Sequence, residues 1–173
     1  NCQEEAMVFR VEVGLRKEVN DPEGANWLKR IHGDLNVEKV TDVRVLKVYL
    51  IDSERLDIKQ IGKFAGEVLA DPITENFETG EGLADNYQFD WIIEVGFLPG
   101  VTDNEGRSAL WGLKTFFESV NEQDMIFSRK KYLLSGRIDK ATAEMIGSKL
   151  LANDVIQNYS VVSFQDWARG QRI

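Results

Sequence analysis

The sole cysteine and the sole histidine of this 173-residue chain, Cys2 and His32, could be read as a nucleophile and its base. Such a pair needs hydrogen-bond contact and a third group that orients the base. Cys2 lies in residues 1–6, which precede Met7 and the first strand-like run and are expected to be a leader with no structural role. His32 falls on a predicted helix beside Gly33, where the chain is expected to leave that helix, and has no partner motif. A solvated or partly packed helix residue is the simpler reading, and no familiar metal-ligand spacing includes it.

Phosphate chemistry finds no better support. There is no Gly-x-x-x-x-Gly-Lys-Ser/Thr loop, and Gly96, Gly100 and Gly106 lack dinucleotide-fingerprint spacing. The carboxylates of Asp21-Pro22-Glu23-Gly24 and Asp103-Asn104-Glu105-Gly106 could act as acid–base pairs. Helix starts account for them directly: Asp caps, Pro fits the first helical position, and Glu faces the positive end of the dipole. Arg129-Lys130-Lys131 is the densest basic cluster and could hold a phosphate or an acidic partner. A solvated strand edge, where lysines discourage unwanted pairing, is the plainer expectation.

A net charge of −8 argues against nucleic acid or an anionic membrane as partner. Hydrophobic residues make up 43% and charged residues 29%, the balance of an ordinary globular protein, without an apolar run long enough to span a bilayer. One cysteine excludes an internal disulfide and fits a reducing, cytoplasmic setting.

What must position these groups is a duplicated chain. Leu69-Ala70-Asp71-Pro72-Ile73-Thr74-Glu75-Asn76-Phe77 returns 82 residues later as Leu151-Ala152-Asn153-Asp154-Val155-Ile156-Gln157-Asn158-Tyr159. Glu12-Val13-Gly14 with Glu94-Val95-Gly96, and Asp21-x-Glu23-Gly24 with Asp103-x-Glu105-Gly106, keep the same offset. Alternation at Phe9, Val11, Val13 and Leu15 predicts a first strand, repeated at Trp91, Ile93, Val95 and Phe97. Helical stripes follow at Leu28, Ile31, Leu35 and at Leu110, Leu113, Phe117. Long strands are predicted over Val43–Ile51 and Met125–Leu134, with Lys47 matching Lys130 after one inserted residue. Second helices carry Ile58, Ile61, Ala65, Val68, Leu69 and Ile138, Ala141, Met145, Ile146, Leu150. Last strands are predicted over Ile73–Phe77 and Val155–Phe164. The expected organisation is a leader (1–6), repeat 1 (7–78), a linker (79–86), repeat 2 (87–167) and a tail (168–173), each repeat strand-helix-strand-helix-strand. The short linker suggests that the halves pack face to face about a pseudo-twofold axis.

These residues resemble PurS, the small accessory subunit of phosphoribosylformylglycinamidine (FGAM) synthase. The resemblance rests on Val11-x-Val13, Asp21-Pro22-Glu23-Gly24, Val40-x-Asp42-Val43-Arg44, Lys47-x-Tyr49 and Leu69-Ala70-Asp71-Pro72-Ile73, and in the second half mainly on Leu150 to Tyr159. It implies an α+β, ferredoxin-like-related fold, with the family's dimer carried here in one chain. It also implies a scaffold role in purine biosynthesis, joining the ATP-dependent synthetase, in cis or in trans, to the glutaminase. ATP, Mg and glutamine would then be used by those partners and no cofactor by this chain. Asn104 in place of proline, Leu98-Pro99-Gly100, and Met125-Ile126-Phe127 in place of Asp-Val-Arg depart from the pattern, so docking is expected to be asymmetric.

Candidate interface residues are Arg44, Lys47, Arg129, Lys130 and Lys131, with Trp27 and Trp111, which stand either on the rim or buried between the halves. The competing class is a small-molecule-sensing module with its ligand between the repeats.

Overall fold

The computed structural model describes residues 8–118 and 122–173; the expected leader, residues 1–6 with Cys2, lies outside them. The strands are β1 (Val8–Leu15), β2 (Val40–Asp52), β3 (Glu75–Thr79), β4 (Trp91–Phe97), β5 (Met125–Gly136) and β6 (Gln157–Ser163). The helices are α1 (Pro22–Leu35), α2 (Ile58–Phe64), α3 (Asn104–Phe116), α4 (Lys140–Ile146) and α5 (Phe164–Ala168). The fold is α+β, and each repeat runs strand-helix-strand-helix-strand as expected.

How the halves join differs from the face-to-face expectation. They meet edge to edge in one six-stranded antiparallel sheet, ordered β3-β1-β2-β5-β4-β6. β2 and β5 pair from Val40 opposite Gly136 to Asp52 opposite Met125, with one bulge between Val40 and Asp42. Lys47 lies opposite Lys130, its repeat counterpart, so the pseudo-twofold axis passes between them. Alternation reveals which face of a strand is buried but carries no information about which edge is paired.

The first helices cross this seam. Ile31 of α1 is buried with Ile93, Val95, Tyr132 and Ile146 of repeat 2. Ala109 and Leu113 of α3 are buried with Phe9, Val11, Ile61 and Phe64 of repeat 1. Each repeat therefore supplies part of the other's core. Local sequence sets each helix in place. Asp21 accepts from Gly24 N (2.9 Å) and also from Val45 N on β2 (2.8 Å). Asp103 accepts from Gly106 N (2.8 Å) and from Ser128 Oγ on β5 (2.6 Å). The glycine of the motif permits this closeness: a Cβ at Gly24 would stand 1.9 Å from Val43 O, and one at Gly106 2.5 Å from Ile126 O. α1 runs past Gly33 to Leu35 and stops at Asn36, which takes the left-handed conformation (φ 54°).

Two further features depart from regular elements. Both second helices relax into a π-helical turn, Ala65–Leu69 and Gly147–Leu151, closed by Ala70 N–Ala65 O and Ala152 N–Gly147 O bonds of 2.9 Å each. Within the expected linker, 79–86, Gly82–Asn86 fold into a 3-10 turn. That turn, Phe89 and Trp167 of α5 cover the back of the sheet over Leu46, Ile92 and Leu133.

Because Leu113 belongs to repeat 2 but fills the repeat 1 core, Leu113→Ala is expected to cost about 2–5 kcal/mol and to speed amide exchange in α2. Faster exchange confined to α3–β6 would contradict a shared core.

Candidate assembly interface

The ionisable residues of the repeat motifs converge on the seam, one set on each face of the sheet. On the helix face, the glutamates reach across the axis. Glu23 pairs with Lys130 of repeat 2, and Glu105 accepts from Tyr49 Oη of repeat 1 (3.1 Å). The tyrosines register this contact. Burial, then Glu105, raises the Tyr49 pKa above its ordinary value, and burial, then Glu23, raises that of Tyr132. A helix-dipole role explains why Glu follows the cap, but its partner stands in the other repeat, beyond the reach of local pattern.

Beside these contacts lie two clefts at matching places in the repeats. One, about 180 Å³, is lined by Asp103, Asn104, Glu105, Lys130 and Gln157; the other, about 320 Å³, by Asp21, Pro22, Glu23, Lys47 and Glu75. They flank the seam; a larger cleft of about 550 Å³, lined by Lys17, Asp42 and Arg44 of repeat 1 and by Tyr87, Gln88 and Ser135, lies between the repeats, where the sensing alternative placed a ligand.

The back of the sheet holds an ionic cluster that the sequence reading misplaced. β5 is central, so Arg129-Lys130-Lys131 is not a solvated edge. Lys131 is fully buried and meets Glu12 of β1 as an ion pair without a well-directed hydrogen bond. Arg129 pairs with Glu94 (2.9 Å), and Arg10 joins Glu94 to Glu12. Burial opposes the charge on Arg10, yet Glu94 and Glu12 outweigh it and raise its pKa above the ordinary value. Trp167 roofs the cluster, its ring 4.8 Å from Lys131 Nζ and 4.0 Å from Arg172 Cζ, while its Nε1 donates to Asp85 (2.8 Å). Two of the ion pairs, Lys131–Glu12 and Arg10–Glu94, join one repeat to the other.

The remaining candidates separate. Arg44 donates to the carbonyls of Leu15, Arg16, Lys17 and Val19 (2.8–3.3 Å) and lies over Tyr87, which secures the β1–α1 loop. Trp27 packs edge-on against Tyr132 at 5.8 Å, between the halves. Trp111 is 74% exposed on α3. His32 contacts Val40 O through Nε2 at 2.7 Å, tying the end of α1 to β2. Among the described residues no group of acidic, histidine or cysteine side chains could hold a metal ion.

Residues 8–80 match the family model PurS, described as phosphoribosylformylglycinamidine (FGAM) synthase. The chain carries a PurS-like module. The matched span runs from the start of β1 to the residue after β3, which is the first structural repeat. A crystal structure of B. subtilis PurS aligns with 42% of this chain and 94% of its own, at 25% identity and a TM-score of 0.37. No curated protein matches the chain. The second repeat lies beyond the matched span and is recognised from within, by the offset of its motifs and by the strand and helix order it shares with the first.

Removing Lys131 leaves Glu12 buried beside Arg10 alone, so Lys131→Met is expected to cost about 3–5 kcal/mol in urea denaturation. The double variant Glu12→Gln/Lys131→Met should recover much of that loss. Strict additivity of the single changes would mean that the pair does not interact.

Proposed function

We propose that this chain is a non-catalytic assembly module of FGAM synthase in purine biosynthesis, holding the ATP-dependent synthetase and the glutaminase together, in cis or in trans. The family match over residues 8–80 carries this reading. The geometry favours a structural role over chemistry, because the charged side chains of the repeat motifs are engaged in contacts that hold the fold together. Asp21 and Asp103 anchor helices, Glu23 and Glu105 cross the seam, and Glu12 and Glu94 neutralise buried cations. ATP, Mg and glutamine belong to the partners in this reading, and the setting is cytoplasmic. No helix among the described residues is long and apolar enough to cross a membrane.

The two repeats would not present equal surfaces. Trp111 of repeat 2 stands exposed where repeat 1 has Lys29, and exposed tryptophan is over-represented at binding hot spots. Trp111 is therefore the residue of choice for the synthetase contact.

Co-purification with the synthetase and glutaminase, followed by glutamine-dependent amidation with and without this chain, tests the reading. Loss of the complex and of amidation on omission is expected, and unchanged assembly and activity would sink the proposal. Trp111→Glu should weaken synthetase binding by about tenfold or more while leaving thermal unfolding unchanged. Equal weakening by Lys29→Glu on repeat 1 would contradict the asymmetric contact.

A further inference from the structure

The six-stranded sheet ends in two edges that occupy equivalent positions in the repeats yet differ chemically. β3 is five residues long and contains Glu75 and Glu78, with Glu81 just beyond it. The matching residues at β6 are Gln157, Ser160 and Ser163, so all three carboxylates have neutral counterparts. β6 is seven residues long, free of charge and proline, and pairs with β4 in unbroken register. Where β3 gives way to Gly80, in a positive-φ conformation (φ 127°), the second copy continues as a strand through Val162. An uncharged, regular edge invites strand addition, and charge or shortening is the usual protection against it.

The ladder shows which main-chain groups face outward. Leu98 N donates to Ile156 O and Phe164 N to Asp90 O, each at 2.8 Å, so even-numbered residues of β6 bond inward to β4. Tyr159 and Val161 therefore direct their N–H and C=O groups to the open side. Both side chains lie on the helix face, half-buried, while Asn158 and Ser160 are exposed.

We propose that the β6 edge pairs antiparallel with β6 of a second copy of this chain, about an axis at Ser160, making one continuous sheet. In that register Tyr159 of one copy lies opposite Val161 of the other, each pair exchanging both main-chain hydrogen bonds. An aromatic side chain beside a β-branched one is a favourable cross-strand neighbour. Ser160 meets Ser160, so no like charges oppose within the paired strands, even though the chain as a whole carries −8. The same pairing by β3 would face glutamates against glutamates, which restricts growth to one edge and closes the assembly at two copies.

The test is the solution mass of the full chain by light scattering at about 50 μM, where a micromolar dimer is populated by mass action. Twice the 19.7 kDa of the chain is expected. Ser160→Lys sets two lysines opposite each other across the axis, next to Glu94 of β4, and should raise the dimer dissociation constant by about tenfold or more. Ser160→Gln adds comparable bulk without charge and should leave the dimer in place, with thermal unfolding reporting that both variants are folded. A monomeric wild type, a Ser160→Lys variant that stays dimeric, or a Ser160→Gln variant that dissociates equally would overturn the proposal. So would capture of a β-strand of the synthetase on this edge in place of the second copy.

Discussion

The pairing of β2 with β5 is the constraint on which the other features rest. It turns two three-stranded units, each with an incomplete core, into a six-stranded sheet broad enough to support four helical segments on one face. It also brings Lys47 opposite Lys130, like charges that would repel if nothing intervened. Glu23 answers one of them directly. The same pairing carries α1 over repeat 2 and α3 over repeat 1, so the helix packing is a consequence of the strand register.

Once the seam exists, its back face presents a harder problem. Glu12 and Glu94 are repeat equivalents buried close to the axis, and isolated carboxylates there would be costly. Arg10, Arg129 and Lys131 offset that cost, but none of the three has a charged repeat counterpart: Ile92, Leu46 and Val48 stand at the matching places. The pseudo-symmetric backbone therefore contains an asymmetric electrostatic core. Trp167 and Arg172 extend that asymmetry, since α5 has only a 3-10 turn as its opposite number after β3.

Much of this fold is legible in the sequence, because strands and helices declare themselves by local period and caps. Asp21 and Asp103 behave as their spacing implies, Gly24 and Gly106 mark close backbone approach, and the offset of 82 aligns the cores. What local pattern does not carry is long-range pairing. Lys131 reads as a surface residue because nothing near it in sequence neutralises it; Glu12, which does, lies in the other repeat. Gly82-Leu83-Ala84 resembles a linker by composition, yet Leu83 and Ala84 are buried against strands assembled from both halves. The candidate interface residues separate by position, which residue type alone does not carry: Trp111 is exposed, while Trp27 and Arg44 serve packing and loop closure.

The crossing of α1 and α3 has a consequence for how the chain reaches this state. During synthesis, repeat 1 emerges first, with Ile31 lacking the partners that repeat 2 provides and the long outer edge of β2 unpaired. Nothing completes that core until β5 and α3 have been made, so repeat 1 spends its early life as an open sheet with an apolar helix stripe exposed. Contacts such as Glu12–Lys131 span most of the sequence, and closing so large a loop slows the approach to the native state. Fusion into one chain keeps the missing partner at high local concentration while that happens. The half-built sheet thus meets its missing strand and helix within the same chain, without a bimolecular encounter.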